Sequence, residues 1–233
     1  SSAKLGKSNW SIIESDESDG SFLQIPFNYS IITNIDNEHL DYYKNIKNLK
    51  KNFINFLDKT PSLGKSFICL DDKNISNILT KLKNKNFYTY GLNKNSNFRI
   101  FNIIQNKNYS KFDVKIKIPG KKTIVKDVQI PLLGIHNVQN ATSALSVAFS
   151  IGVSNKIIKK GLKNFKGVQR RFNYLFDMNN VPFFDDYAHH PTEINSVLDG
   201  VRKVYDKKEI VCIFQPHRVS RLKNLKVEFS KCF

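Results

Sequence analysis

At 233 residues the chain is long enough for one large domain or two small ones, and its 40% hydrophobic content is ordinary for a globular protein. No stretch approaches the roughly 20 apolar residues of a membrane span, no signal-peptide pattern opens the chain, and the three scattered cysteines form no metal spacing, so no membrane partner and a reducing, cytoplasmic setting are expected. The net charge of +17 suggests nucleic acid, yet the lysines are dispersed in short runs such as Lys50-Lys51 and Lys121-Lys122 without interleaved aromatics, so no nucleic-acid partner is expected.

In chain order, Trp10 to Glu14 reads as a strand, and the residues from Glu14 to Gly20 as the polar loop leaving it. Tyr29 to Thr33 is a second short strand, followed by the polar run from Asn34 to His39. Over 45–58, Ile46, Leu49, Phe53, Phe56 and Leu57 make one helical stripe. Ser66 to Leu70 is a strand, and Ile75, Ile78, Leu79 and Leu82 mark another helix.

The period then changes from helical to alternating. Phe112, Val114, Ile116 and Ile118 alternate with polar residues, as do Ile124, Val128 and Ile130 with one slip. Pro119-Gly120 lies between them, which predicts a β-hairpin inside a β-rich patch spanning 87–131. Helix returns over 137–151, where Ala141, Ala144 and Ala148 allow close packing, and again after the N-cap candidate Ser154.

Beyond Gly167, two strands flank Met178-Asn179-Asn180, and a helix follows Pro191. Ile210 to Phe214 reads as a strand buried on both faces, and a final helix begins near Ser220. Alternating strands and helices, with polar motifs at strand ends, give an α/β fold class, in which helix N-termini bring ligands to the strand ends.

Two such motifs are dense in chemistry: Asp185 to Glu193 and Gln215 to Arg221 together hold three of the five histidines and two of the six arginines. A Lys-rich chain that keeps Arg at 170, 171, 218 and 221 has positions suited to a planar two-pronged donor for carboxylate or phosphate; two pairs of surface arginines are the plainer alternative. Acids concentrate at the other end, with Glu14, Asp16, Glu17, Asp19, Asp36, Glu38 and Asp41 all before residue 42, which suits either a cation site or a solvated acidic turn.

These motifs carry a resemblance. The run Glu14 to Phe22, Thr33-Asn34 through His39-Leu40-Asp41, Gly134 to Asn140, Gly167 to Phe172 and the two dense motifs resemble the Mur ligases, in family order and over nearly the whole chain. The form of the Glu14–Phe22 segment resembles the member that adds alanine more than the one that recycles murein peptides.

The resemblance implies an ATP-dependent, ADP-forming amide ligase of peptidoglycan synthesis, with ATP and Mg²⁺ as cofactors and UDP-N-acetylmuramate and L-alanine as substrates. It implies a truncated central nucleotide-binding α/β domain with a β-rich patch over 1–167, followed by a partial Rossmann-like α/β domain over 168–233. No Gly-x-x-x-x-Gly-Lys-Ser/Thr occurs, since Gly64-Lys65-Ser66 lacks the upstream Gly. The expectation is therefore a fragment of a longer protein, inactive alone.

Residue by residue, the resemblance implies Glu14 and His39 as metal ligands, converging from two strand ends, although Mg²⁺ prefers oxygen. It implies His136, Asn137 and Asn140 at adenine, where an amide matches a donor–acceptor edge; helix capping is the alternative for the two asparagines. Arg171 matches an arginine that reaches ATP, and Asp186 an acid at the ribose, unless it only ties a strand-end turn. His189, His190, Arg218 and Arg221 match the amino-acid side, with His190 also placed to cap the helix at Pro191. His39, Arg171, His190, Arg218 and Arg221 are the implied catalytic set. A catalytically dead binding module would have lost scattered members of this set. A basic nucleic-acid binder, the alternative from another class, would show a steep salt dependence.

Overall fold

The structure, a computed structural model, describes residues 5–233. Six strands form the main sheet in chain order: β1 (Tyr29–Ile32), β2 (Lys65–Cys69), β3 (Phe87–Gly91), β4 (Phe98–Gln105), β5 (Ser110–Ile118) and β6 (Lys121–Ile130). The first four pair parallel and the last three antiparallel. Around the sheet stand α1 (Leu40–Tyr43), α2 (Ile46–Asp58), α3 (Lys73–Leu79), α4 (Ile135–Ser150) and α5 (Asn155–Lys163).

Local chemistry accounts for the element ends. Asn45 and Asp72 cap α2 and α3 by accepting the N–H groups of Asn48 and Ile75, which satisfies donors a helix start leaves unpaired. β2 has Phe67 and Ile68 fully buried, as a strand inside a parallel sheet requires. The hairpin of β5 and β6 turns at Gly120, φ 70°, and the slip in its alternation is a β-bulge opposite Phe112 and Val114. α4 lies across β2 to β5 with Val138 and Leu145 fully buried. Its buried Thr142 and Ser146 donate their hydroxyls to the Val138 and Thr142 carbonyls, so these two hydroxyls are satisfied within the helix.

Gly64-Lys65-Ser66, which has part of a phosphate-loop signature, is the entry to β2. A Cβ on Gly64 would stand 1.9 Å from the Asn28 carbonyl oxygen, so only glycine fits.

The C-terminal part is built on a smaller scale. β7 (Asn173–Met178) and β8 (Val181–Asp185) form an antiparallel hairpin, and α6 (Pro191–Val204), α7 (Val219–Asn224) and α8 (Lys226–Phe229) follow. The hairpin turns through Asn179 and Asn180, both at positive φ, the backbone a tight two-residue turn demands. Ile194, Leu225, Phe229 and Cys232 form a separate small core.

Two expected strands do not form. Trp10 to Glu14 carries no ladder, with Ile12 97% exposed, and Ile210 to Phe214 carries none either, with Ile213 92% exposed. An apolar run becomes a strand only beside another strand that takes its N–H and C=O groups. Among the described residues neither run has such a neighbour. The 168–233 region therefore shows a hairpin with helices, while the mixed α/β class holds for the chain as a whole.

The two parts touch at glycines. A Cβ on Gly200 of α6 would stand 3.1 Å from Gly134 Cα, the residue that opens α4. The start of α6 meets the loop between β1 and α1, where Asp36 accepts the Thr192 hydroxyl.

Candidate functional site

The polar motifs gather along this seam. On the central side, His39 precedes α1 in left-handed backbone, φ 55°, a conformation that persists only where its surroundings impose it. Its Nε2 lies 3.7 Å from Glu17 Oε1 and 3.9 Å from Glu38 Oε2. One ligand atom from each of Glu17, Glu38 and His39 falls within 4.8 Å of the other two. Tyr43 fixes this turn by donating its hydroxyl to the Glu17 carbonyl. Burial, helped by the Glu17 charge, pushes that phenol up to about 12, so it stays a donor. Burial also raises the Glu17 carboxyl, against its backbone hydrogen bond and the nearby His39. Glu14 is exposed and stands outside this trio.

On the C-terminal side, Pro191 occupies the first position of α6 and His190 its N-cap. The Thr192 N–H donates to His190 Nδ1 at 3.3 Å, and the Glu193 carboxylate accepts the His190 N–H, which completes a capping box. His190 is buried, and its Nε2 has no partner among the described residues. A neutral ring that accepts at Nδ1 carries its proton on Nε2, so a donor is left free. Asp36 reaches across from the central part: its Oδ2 accepts the Thr192 hydroxyl and lies 3.6 Å from His190 Nδ1.

Glu193 organises the neighbours. Its Oε2 accepts the His189 N–H at 3.0 Å, and its Oε1 lies 3.3 Å from Arg171 Nη1. Burial alone would raise this carboxyl; the His189 N–H and the charges of His189 and Arg171 outweigh it and hold the group below its usual range. Arg221 grips Glu38 Oε1 with Nε at 3.0 Å and Nη2 at 2.9 Å. Arg218, by contrast, is exposed, stands at φ 65°, and makes no side-chain hydrogen bond or ion pair among the described residues.

The nucleotide candidates lie just behind. His136 folds over Gly134 and faces Phe172 and α6 residues Val197 and Val201. Burial pushes its imidazole below the ordinary 6.5, Asp186 and Glu193 pull it up, and Arg171 pushes it further down. Its Nδ1 is buried without a partner among the described residues. Asn137 donates its amide to the Leu133 carbonyl at 2.6 Å, a local tie, whereas Asn140 is exposed and its amide has no partner among the described residues. Asp186 accepts the N–H groups of Phe172 at 2.7 Å and Ala188 at 2.6 Å, so it ties the turn after β8.

The comparisons with known proteins fit this layout. Residues 10–148 match the model of the Mur ligase middle domain, and residues 170–232 match that of the Mur ligase, glutamate ligase domain. The chain belongs to the Mur ligase family. It is 60% identical over 233 residues to the UDP-N-acetylmuramate–L-alanine ligase of Pelagibacter ubique, covering 100% of this chain and 50% of that protein. It is 41% identical over 232 residues to the enzyme of the same name from Brucella anthropi, covering 99% of this chain and 49% of that one. Among solved structures, UDP-N-acetylmuramate-alanine ligase of Thermotoga maritima superimposes with a TM-score of 0.71 at 29% identity, over 91% of this chain and 46% of that one. The chain spans about half the length of the curated relatives it matches.

Within this Mur ligase framework, the structure brings His39, His190 and Arg221 to one seam and joins Arg171 and His189 to it through Glu193. It leaves Glu14, Asn140 and Arg218 exposed. Sequence reasoning missed Glu17, Asp36, Glu38, Thr192 and Glu193 as site members. Two signals were available: the acidic focus before residue 42, and Glu193 three positions after an N-cap, which is the capping-box spacing.

Proposed function

We propose that the chain forms the central and C-terminal parts, divided near 167/168, of a longer ATP-dependent ligase. That enzyme joins L-alanine to UDP-N-acetylmuramate in peptidoglycan synthesis, in the cytoplasm. The observation that carries this reading is the 60% identity, over all 233 residues, to the Pelagibacter ubique enzyme of that name. In the reaction the substrate carboxylate attacks the γ-phosphorus of ATP and ADP leaves. The alanine amine then attacks the acyl phosphate and inorganic phosphate leaves.

The residues present fit the groups this chemistry needs. His39 and a carboxylate, either Glu14 or the Glu17 and Glu38 beside it, offer a divalent cation two kinds of donor, and the oxygens suit Mg²⁺. When bound, Mg²⁺ supplies charge neutralisation for phosphoryl transfer. The unpaired Nδ1 of His136 and the unengaged amide of Asn140 fit a base edge, with Asn137 holding the helix start between them. Arg171 is held beside this pocket by Glu193 and extends to the nucleotide, and Asp186 sets the turn that presents the ribose side. His189, His190, Arg218 and Arg221 form the amino-acid side. Fixing two substrates across one seam removes much of the entropic barrier to joining them.

Expression of the full-length protein in a bacterium depleted of its own alanine-adding ligase tests the reading. Restored growth supports it; growth restored only by a differently named Mur ligase contradicts it.

A further inference from the structure

The two arginines of the 215–221 motif are in opposite states. Arg221 is engaged: its side chain is 10% exposed, Nε and Nη2 both hold Glu38 Oε1, and Nη1 donates to the His217 carbonyl at 3.4 Å. Little of its fork is left for another carboxylate. Arg218 is exposed and has no side-chain partner among the described residues. Glu38 is divided as well, with Oε1 on Arg221 and Oε2 toward His39. It is also one of two acids on the same loop that cross the seam, the other being Asp36 on Thr192 and His190.

We propose that Glu38 and Arg221 are the clasp that holds the C-terminal part closed on the central part, so that Arg221 is a positioning residue and Arg218 is the arginine that meets the amino-acid carboxylate. The clasp stands without the ligase reading; the role of Arg218 rests on it. Three features argue for a clasp. The pair links two parts of the chain that are each built on a hydrophobic core of their own. Being mostly buried, it resists screening by salt better than a surface pair. Removing one partner leaves a charge with no compensation in a poorly solvated place, a larger penalty than losing an exposed pair. Asp36 adds a second tie of different chemistry by accepting the Thr192 hydroxyl in the first turn of α6, which fixes the rotation of α6 about the clasp.

The test reads docking directly in the 233-residue chain. Dyes on the exposed native Cys212 and on a cysteine introduced at exposed Lys47 report the separation of the two parts by energy transfer. Circular dichroism of each variant confirms that the sheet is intact. The expected result is a drop in the closed-to-open ratio of about tenfold or more in E38Q and in R221Q, the scale of a lost charge-assisted hydrogen bond. The double variant should be no worse than either single one, and the swap E38R/R221E should recover most of the transfer. Wild-type transfer in E38Q, or no recovery in the swap, overturns the clasp. In the full-length protein, R218K should raise the KM for the amino acid about tenfold or more. R221K should lower kcat while leaving that KM within about threefold, as a group acting on geometry does. A KM rise confined to R221K would overturn the division of roles. No response of the amino-acid KM to R218K, with docking behaving as described, would overturn the role of Arg218 and leave the clasp standing, whereas native full-length protein with no turnover on any amino acid would refute the ligase reading instead.

Discussion

Glu193 and Arg171 stand 3.3 Å apart, joined across the turn that follows β8, and the same carboxylate closes the capping box of α6 through His190 and accepts the His189 N–H. One side chain thus sets the start of a helix, the backbone that carries two histidines and the position of the arginine assigned to the nucleotide.

Replacing Glu193 with alanine removes all of these ties at once. Unfolding by denaturant should show a loss of about 1–2 kcal/mol, the usual range for a lost helix cap. The pH dependence has a fixed sign. The carboxyl is held below its ordinary 4.5 in the folded state, so its contribution is present above that value and lost as pH falls through the depressed one. The variant should therefore lose less stability on acidification than the native chain. Equal acid sensitivity in the two proteins would contradict the role given to Glu193.

His136 gives a second pH signature, in a different window. Burial, partly offset by Asp186, lowers its pKa from 6.5 in the folded state. The unfolded chain takes up the proton first, so stability is full above about 6.5 and declines as pH falls through the depressed value. Thermal unfolding from about pH 7.5 to about pH 5 should show this decline in the native chain and a flatter profile in H136Q. A native profile as flat as that of the variant would count against a buried, neutral His136.

The glycine contact at the seam makes a graded prediction. Gly134 sits at φ +89°, and a Cβ there would lie 2.5 Å from His136 Cε1, so G134A should cost about 1–3 kcal/mol in strain and displaced packing. Gly200 lies inside α6, where alanine is favoured by about 1 kcal/mol, against a contact of 3.1 Å with Gly134 Cα. G200A should stay within about 1 kcal/mol of the native chain by chemical denaturation, since the two effects oppose. A G200A penalty equal to that of G134A would mean that the two helices have no room to adjust.

Much of the central part was legible because its signals are local. The stripe from Ile46 to Leu57 and the alternation from Phe112 to Ile130 each state a period, and even the slip in the hairpin proved to be a bulge. Trp10–Glu14 and Ile210–Phe214 misled because an apolar run reports hydrophobicity, whereas a strand also needs a neighbour. The carboxylate nearest His39 was not legible either. Along the coil from Glu14 to Gly20, the acid that turns inward is set by the hydrogen bond from Tyr43 to the Glu17 carbonyl and by the left-handed Gly20, neither of which a spacing reveals. Asp36 and Glu38 gain meaning only from Thr192 and Arg221, more than 150 residues away.

The measurement that bears most directly on the central claim is ADP release by the full-length protein, supplied with ATP and Mg²⁺ and with each acceptor varied. Turnover is expected only when UDP-N-acetylmuramate and L-alanine are both present, and none from the 233-residue chain alone, whose sequence has no Gly-x-x-x-x-Gly-Lys-Ser/Thr loop to cradle the phosphates. ADP release by the full-length protein that ignores either acceptor, or that requires a different amino acid, would contradict it.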